Sequence, residues 1–192
     1  MTTKNPHALH LSIAEAGKIK ALKGDHKGAL KHYREALRLA VSSRAPEVFF
    51  RHYTQCVLES LELTGAYDEV LDYCINADAH YESLSLTSTI HRRDHGSILE
   101  RQGLLELKQG EAEKGHKTLQ KACAIAGEKA LPLSEEIINW LQRGFSLDVS
   151  RIVTSQRKHN YFVVRSDQVD KKSASTVPTS TLISTMVTTQ CI

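Results

Sequence analysis

The sequence contains few of the residues that break helices or cross-link a chain. Its 192 residues include 4 Pro, 10 Gly and 4 Cys, and only 6% are aromatic. So few helix breakers leave room for long helices, and widely scattered cysteines favour a reduced, cytoplasmic setting over a disulfide framework. No run approaches the ~20 apolar residues of a membrane span, and residues 1–7 lack the apolar core of a signal peptide. We therefore expect a cytoplasmic protein with no membrane segment.

Charge is unevenly distributed although the net charge is only +3. Residues 1–44 carry a net charge of +6 and residues 45–90 carry −7. The basic side chains could contact phosphates, but they are spread around the predicted helices, and the acidic stretch would repel a long polyanion. The pattern disfavours nucleic acid as a partner. It leaves open a homo-oligomer in which the basic 1–44 surface meets the acidic 45–90 surface of a neighbour.

Apolar residues recur with helical spacing through most of the chain. The pattern predicts six helices from about residue 8 to residue 128. They are joined by short connections at Lys23-Gly-Asp25, at Ala45-Pro46, at Thr64-Gly65, near residues 83–88 and at Gln109-Gly110. Gly and Asp in such connections end one helix and cap the next.

Three of these connections share a column pattern centred on Gly24, Gly65 and Gly110. Seven residues before them stand Gly17, Leu58 and Gly103, and twelve residues after them stand Ala36, Ala77 and Ala122. Small residues are needed where two helix backbones cross closely, so the columns predict three repeated helical hairpins.

The columns resemble the tetratricopeptide repeat (TPR) family. The small residues Gly17 and Gly103, the Gly24-Asp-His turn, and the small–aromatic–small series Ala29, Tyr33 and Ala36 carry the resemblance. The spacings of 41 and 45 residues exceed the ~34 of the family, as in its extended members. The resemblance implies an all-α fold, a right-handed α-solenoid of three TPR-like hairpins.

Four regions are predicted along the chain. Residues 1–7 form a flexible N-terminus, residues 8–130 the TPR-like repeats, and residues 131–157 a capping helix region that covers the open end of the solenoid. Residues 158–192 are rich in Ser and Thr, a composition typical of a disordered tail. Within this tail, Tyr161-Phe-Val-Val164 is a short β-prone run. The alternative is that the apolar residues of this tail dock in the chain's own groove or a neighbour's.

Motifs for catalysis or cofactor binding are scarce. His91 and His95 lie one helical turn apart, but Arg92 stands where a zinc protease has its catalytic Glu, and no third ligand is indicated. The sequence has no CxxC pair, no phosphate-binding glycine loop and no serine nucleophile elbow. We therefore expect a protein that is not an enzyme and has no metal or cofactor.

The resemblance implies a concave groove, built from the first helix of each hairpin, that holds a peptide or helix of a partner. The groove candidates by position are Lys18, His52, Gln55, Glu59, Glu62, Glu100 and Leu104. Only Lys18 suits the carboxylate clamp of the family's chaperone-binding members, so we expect no clamp and a preference for a basic or amphipathic segment. The predicted function is a non-catalytic interaction module, such as an adaptor, assembly factor or small chaperone. A self-assembling structural subunit and a regulator responsive to a peptide or nucleic acid are the alternatives.

Overall fold

The computed structural model describes residues 6–84 and 88–174, and these residues form helices without any β-strand. The helices are α1 (Pro6–Leu22), α2 (His26–Ser42), α3 (Glu47–Leu63), α4 (Tyr67–Ser83), α5 (Thr89–Lys108), α6 (Ala112–Ala126), α7 (Pro132–Gln142) and α8 (Val149–Lys158). One turn of 3-10 helix follows at Ser166–Gln168. The predicted all-α class is confirmed. The short β-prone run at residues 161–164 does not form a strand.

The chain divides into two compact units. Unit 1 consists of Met1–Thr64 together with Val163–Ile192, and unit 2 consists of Gly65–Phe162. The boundary falls between α3 and α4, which the sequence predicted to be partners in the second hairpin. In unit 1, α3 packs on α2, and in unit 2, α4 packs on α5.

Unit 1 is built on the hairpin of α1 and α2. Gly24 ends α1 with a φ of +81°, a left-handed conformation that favours glycine, and the Asp25 side chain accepts the Gly28 N–H at 2.8 Å to cap α2. Gly17 lets the helices approach, since a Cβ there would lie 2.7 Å from the Tyr33 ring. Two apolar clusters then bury α1, α2 and α3 against one another.

Unit 2 is built on α5 and α6. Gly103 and Gly115 face each other where the two helices cross, because a Cβ on Gly115 would lie 2.8 Å from the Gly103 carbonyl oxygen. The main apolar cluster of the unit joins α5, α6, α7 and α8. Its buried members are Leu104, Leu107, Leu119, Leu133, Ile137 and Ile152.

The predicted capping region contains two helices, α7 and α8, separated by residues 143–148. Gly144 has a φ of +77°, and Asp148 caps α8 by accepting the Arg151 N–H at 2.7 Å. A left-handed glycine followed by a capping Asp stops one helix and starts another.

The predicted tail begins where α8 ends, at Lys158. Residues 163–174, which we call the C-terminal segment, belong to unit 1. The prediction of disorder for residues 175–192 and for residues 1–5 lies outside the described residues.

Candidate functional site

The predicted groove residues fall into two groups. Lys18 on α1 and four residues on α3 lie in unit 1; the four are His52, Gln55, Glu59 and Glu62. Glu100 and Leu104 lie on α5 in unit 2. The site in unit 1 is the surface that we call the α1–α3 face, whose central residues are Glu15, Lys18, Ala21, His52, Cys56 and Glu59.

Glu59 holds the backbone of the C-terminal segment. Its side-chain oxygen Oε2 accepts the Val163 N–H at 2.7 Å and the Val164 N–H at 3.1 Å. Glu59 is only 3% exposed, so these bonds form away from bulk water, where a charged acceptor binds amides strongly. The face thus recognises two consecutive peptide N–H groups without contacting their side chains through this carboxylate.

Val164 supplies the apolar part of the contact. Its side chain is buried in one cluster with Ala21, Ala29, Tyr33 and Cys56. The cluster draws on α1, α2 and α3, so the segment packs on all three helices of unit 1 at this point. A buried valine removes enough apolar surface from water to contribute about 1.5–3 kcal/mol.

A second carboxylate holds the segment further along. Glu15 Oε2 accepts the Asp170 N–H at 2.8 Å, while Glu15 Oε1 accepts Lys18 Nζ at 2.7 Å. Lys18 is buried on this face. Burial lowers the pKa of His52, and the positive charge of Lys18 lowers it further, against an opposing effect of Glu15. His52 is therefore favoured as the neutral imidazole at this face.

The hydroxyl of Tyr33 is buried without a hydrogen-bond partner in the part of the chain that the structure describes. Tyr33 is fully buried. Burial raises its pKa, and the neighbouring Cys56, Glu59 and Glu15 raise it further. Glu59 and Glu15 both accept N–H groups of the C-terminal segment, and the Tyr33 hydroxyl bonds to neither carboxylate.

Glu100 and Leu104, the two predicted groove residues on α5, make contacts inside unit 2. Leu104 is fully buried in the main apolar cluster. Glu100 Oε1 accepts the backbone N–H and the hydroxyl of Ser134 at 3.1 and 2.8 Å. These two predicted groove residues hold helices of unit 2 together.

Unit 2 contains two polar clusters whose residue types could suggest chemistry. His95 Nε2 donates to Asp78 at 2.5 Å, and the His95 ring stacks on Tyr81. Its Nε2 atom is therefore already bonded to a residue of α4. Ser155 and His159 both donate to the same oxygen of Glu136, at 2.7 and 2.5 Å. This geometry differs from that of a serine nucleophile, whose hydroxyl must donate to the imidazole.

Metal-binding and membrane-spanning features do not occur among residues 6–84 and 88–174. Those residues contain no group of three His, Cys, Asp or Glu side chains placed to bind a metal ion. None of their helices is long and apolar enough to cross a membrane. Cys56 and Cys74 are buried thiols and Cys123 is partly buried.

Sequence reasoning identified Glu59 but missed what it binds. The partner amides lie 104 and 105 residues later, and helical periodicity carries no information over that distance. The β-prone run at residues 161–164 was the available signal, since a short extended apolar segment after the last helix needs something to pack on. Glu15 was missed because the positions taken from the TPR family placed the nearby Lys18 in the groove instead.

Comparisons with family models, curated proteins and solved structures give no match.

Proposed function

We propose that the protein is a non-catalytic interaction module, an adaptor, assembly factor or small chaperone, that binds a peptide segment of a partner protein on its α1–α3 face. The observation that carries the proposal is the pair of hydrogen bonds from Val163 and Val164 to Glu59. A face that holds a segment of its own chain by the backbone N–H groups has the chemistry to hold another.

The residues of the face support a partner that is not an acidic tail. Its carboxylates Glu15 and Glu59 are acceptors for peptide N–H groups, and the amine of Lys18 is bound to Glu15. A partner's terminal carboxylate would meet these two acidic groups, and the nearby cation is already engaged. The segment seated there carries Arg165, Lys171 and Lys172 beside Asp167 and Asp170, so the face accepts a segment of mixed charge in which basic residues are in slight excess.

The TPR-like relationship is part of the proposal. It is supported by two pairs of consecutive helices, α1 with α2 and α5 with α6, that pack together across short glycine-containing connections. It is also supported by glycines at the close crossings, Gly17 in one pair and Gly103 with Gly115 in the other.

A titration of the full chain tests the proposed function. A peptide with the sequence of residues 161–174 is added to isotope-labelled protein, and amide chemical shifts are followed by NMR. We expect shifts concentrated on α1 and α3. When Val164→Pro weakens the chain's own segment as a competitor, adding Glu59→Gln should make peptide binding roughly tenfold weaker, because a neutral acceptor binds amides less strongly than a charged one.

The matched control is Glu113→Gln, which removes the charge of an exposed α6 carboxylate paired with Lys117. Added to Val164→Pro, it should leave peptide binding unchanged. Shifts that map to unit 2 alone, or equal affinities for the Glu59 and Glu113 variants of that chain, would rule out the α1–α3 face as the binding site.

A further inference from the structure

The C-terminal segment contacts the α1–α3 face through backbone amides and apolar side chains. Two amides bond to Glu59, one amide bonds to Glu15, and Val164 is buried in an apolar cluster of the unit. Residues 166–168 and 170–173 are exposed. Part of the segment is therefore held by the face, and part of it lies in solvent.

The contacts described above include backbone and apolar groups of the segment. Glu59 accepts from two consecutive N–H groups, which any residue except proline can offer. The Val164 side chain is buried in one cluster with Ala21, Ala29, Tyr33 and Cys56. A segment with two consecutive unsubstituted amides and a β-branched apolar residue at the second of them can make these same contacts.

We propose that the C-terminal segment is a resident ligand of the α1–α3 face, and that a partner binds by displacing it with a proline-free segment carrying a β-branched apolar residue at the position of Val164. This inference rests on the proposed function and adds the partner's chemistry and the intramolecular competitor. A tethered ligand acts at an effective concentration in the millimolar range, so it masks the face from weak or dilute partners.

Two proline variants of the full chain test the masking. Val164→Pro removes one amide donor from the resident ligand and leaves the face intact. Ser166→Pro is the matched control, because it falls on the first residue of the 3-10 turn, after an Arg165 that is already extended (φ −128°, ψ 151°), where proline fits. Binding of a fluorescent peptide of residues 161–174 is measured by anisotropy.

We expect Val164→Pro to bind the peptide at least tenfold more tightly than the wild type, and Ser166→Pro to bind as the wild type does. The same peptide N-methylated at its Val164 amide should not bind either chain. Equal, measurable binding by wild type and Val164→Pro would overturn the resident-ligand inference and leave the proposed function standing. If no chain binds the peptide, the proposed function fails as well.

If circular dichroism shows that Val164→Pro does not fold, hydrogen exchange of the wild-type chain provides a second measurement that needs no substitution. In the wild-type chain, saturating peptide should speed exchange at the chain's own Val163 and Val164 amides at least tenfold. Unchanged exchange at these two amides while the peptide is bound elsewhere on the molecule would overturn the inference.

Discussion

Ser134 donates both its backbone N–H and its hydroxyl to a single oxygen of Glu100, which is buried in unit 2. Burial raises the pKa of Glu100, against the lowering effect of these bonds and of Arg101. A carboxyl group whose pKa is raised on folding contributes its full stabilisation of the fold at pH values below its pKa in the unfolded chain. That contribution is lost as the pH rises through its pKa in the folded protein.

Glu100→Gln should therefore keep or increase the free energy of unfolding at pH 7, because the amide oxygen still accepts from Ser134 and no buried charge is required. Glu100→Leu should lower it by about 1–3 kcal/mol, since it leaves the Ser134 N–H without a partner. Urea unfolding of both variants at pH 7 checks this. A loss for Gln as large as that for Leu would show that the charge itself is required.

Glu136 should govern the acid stability of unit 2. Burial opposes its ionisation, but hydrogen bonds from Lys158, Ser155 and His159 outweigh that effect and lower its pKa to about 2. A carboxyl group whose pKa is lowered on folding stabilises the folded state at pH values above its pKa in the unfolded chain. This stabilisation is lost as the pH falls from about 4.5 towards 2. We expect Glu136→Gln to lose about 1–2 kcal/mol at pH 7 and to equal the wild type near pH 2. A constant difference across that range would contradict the assignment.

Unit 1 should lose stability on mild acidification. Burial lowers the pKa values of His10, His26 and His52 from the ordinary 6.5. The folded unit therefore binds fewer protons than the unfolded chain, and its stability falls as pH drops through about 6.5. Hydrogen exchange of α1–α3 amides at about pH 7.5 and about pH 5.5, on either side of that value, measures the effect.

His10 supplies the specific variant for that experiment. Its Nδ1 shares a 2.7 Å hydrogen bond with the Tyr53 hydroxyl, and its ring is fully buried. His10→Gln should flatten the pH dependence while lowering stability at the higher pH. If the variant shows the same pH dependence as the wild type, His10 is not among the groups responsible.

Gly115→Ala should destabilise unit 2 even though alanine is the better helix former. The new Cβ would lie 2.7 Å from Leu107 Cγ and 2.8 Å from the Gly103 carbonyl oxygen, and a backbone atom cannot move aside as a side chain can. We expect a loss of about 1–3 kcal/mol, typical of overpacking. Gln120→Ala, at an exposed position of the same helix, is the control and should be nearly neutral. Thermal unfolding followed by circular dichroism compares them.

Tyr33→Phe should leave the stability of the wild-type chain unchanged or higher. Its hydroxyl is buried and unpartnered among the described residues, so deleting it removes no hydrogen bond and relieves a desolvation cost. The exposed Ser150→Ala in α8, which also deletes one hydroxyl, serves as the control. A loss above about 1 kcal/mol in urea unfolding would reveal a hydroxyl partner.

The sequence predicted helix positions well where local chemistry decides them. The predicted connections at Lys23-Gly-Asp25 and Ala45-Pro46 are confirmed by the starts of α2 and α3, because Gly24 with Asp25 and Pro46 mark those starts. It could not predict which neighbour each helix packs on. The division of α3 and α4 between two units depends on contacts among residues far apart in the sequence. The spacing of apolar residues within a helix carries no information about such contacts.

The candidate site shows the same limit. Family position pointed to Glu59, but the acidic pattern of α3 was equally compatible with an exposed face. What distinguishes Glu59 is burial under a segment that is 104 residues away in the chain. The buried charges of α5, including Arg101 and Lys108, were missed for a related reason: their partners Tyr161 and Gln156 come from beyond the repeats.

The two-part composition of unit 1 also sets an order of events during synthesis. Ribosomes add about 5–20 residues per second, so the roughly 100 residues between Thr64 and Val163 take about 5–20 s to make. For that interval α1, α2 and α3 have been translated, while the valine that closes their apolar cluster has not. The three helices of unit 1 are thus completed by a segment that is translated after all of unit 2, and until then their α1–α3 face lacks that segment.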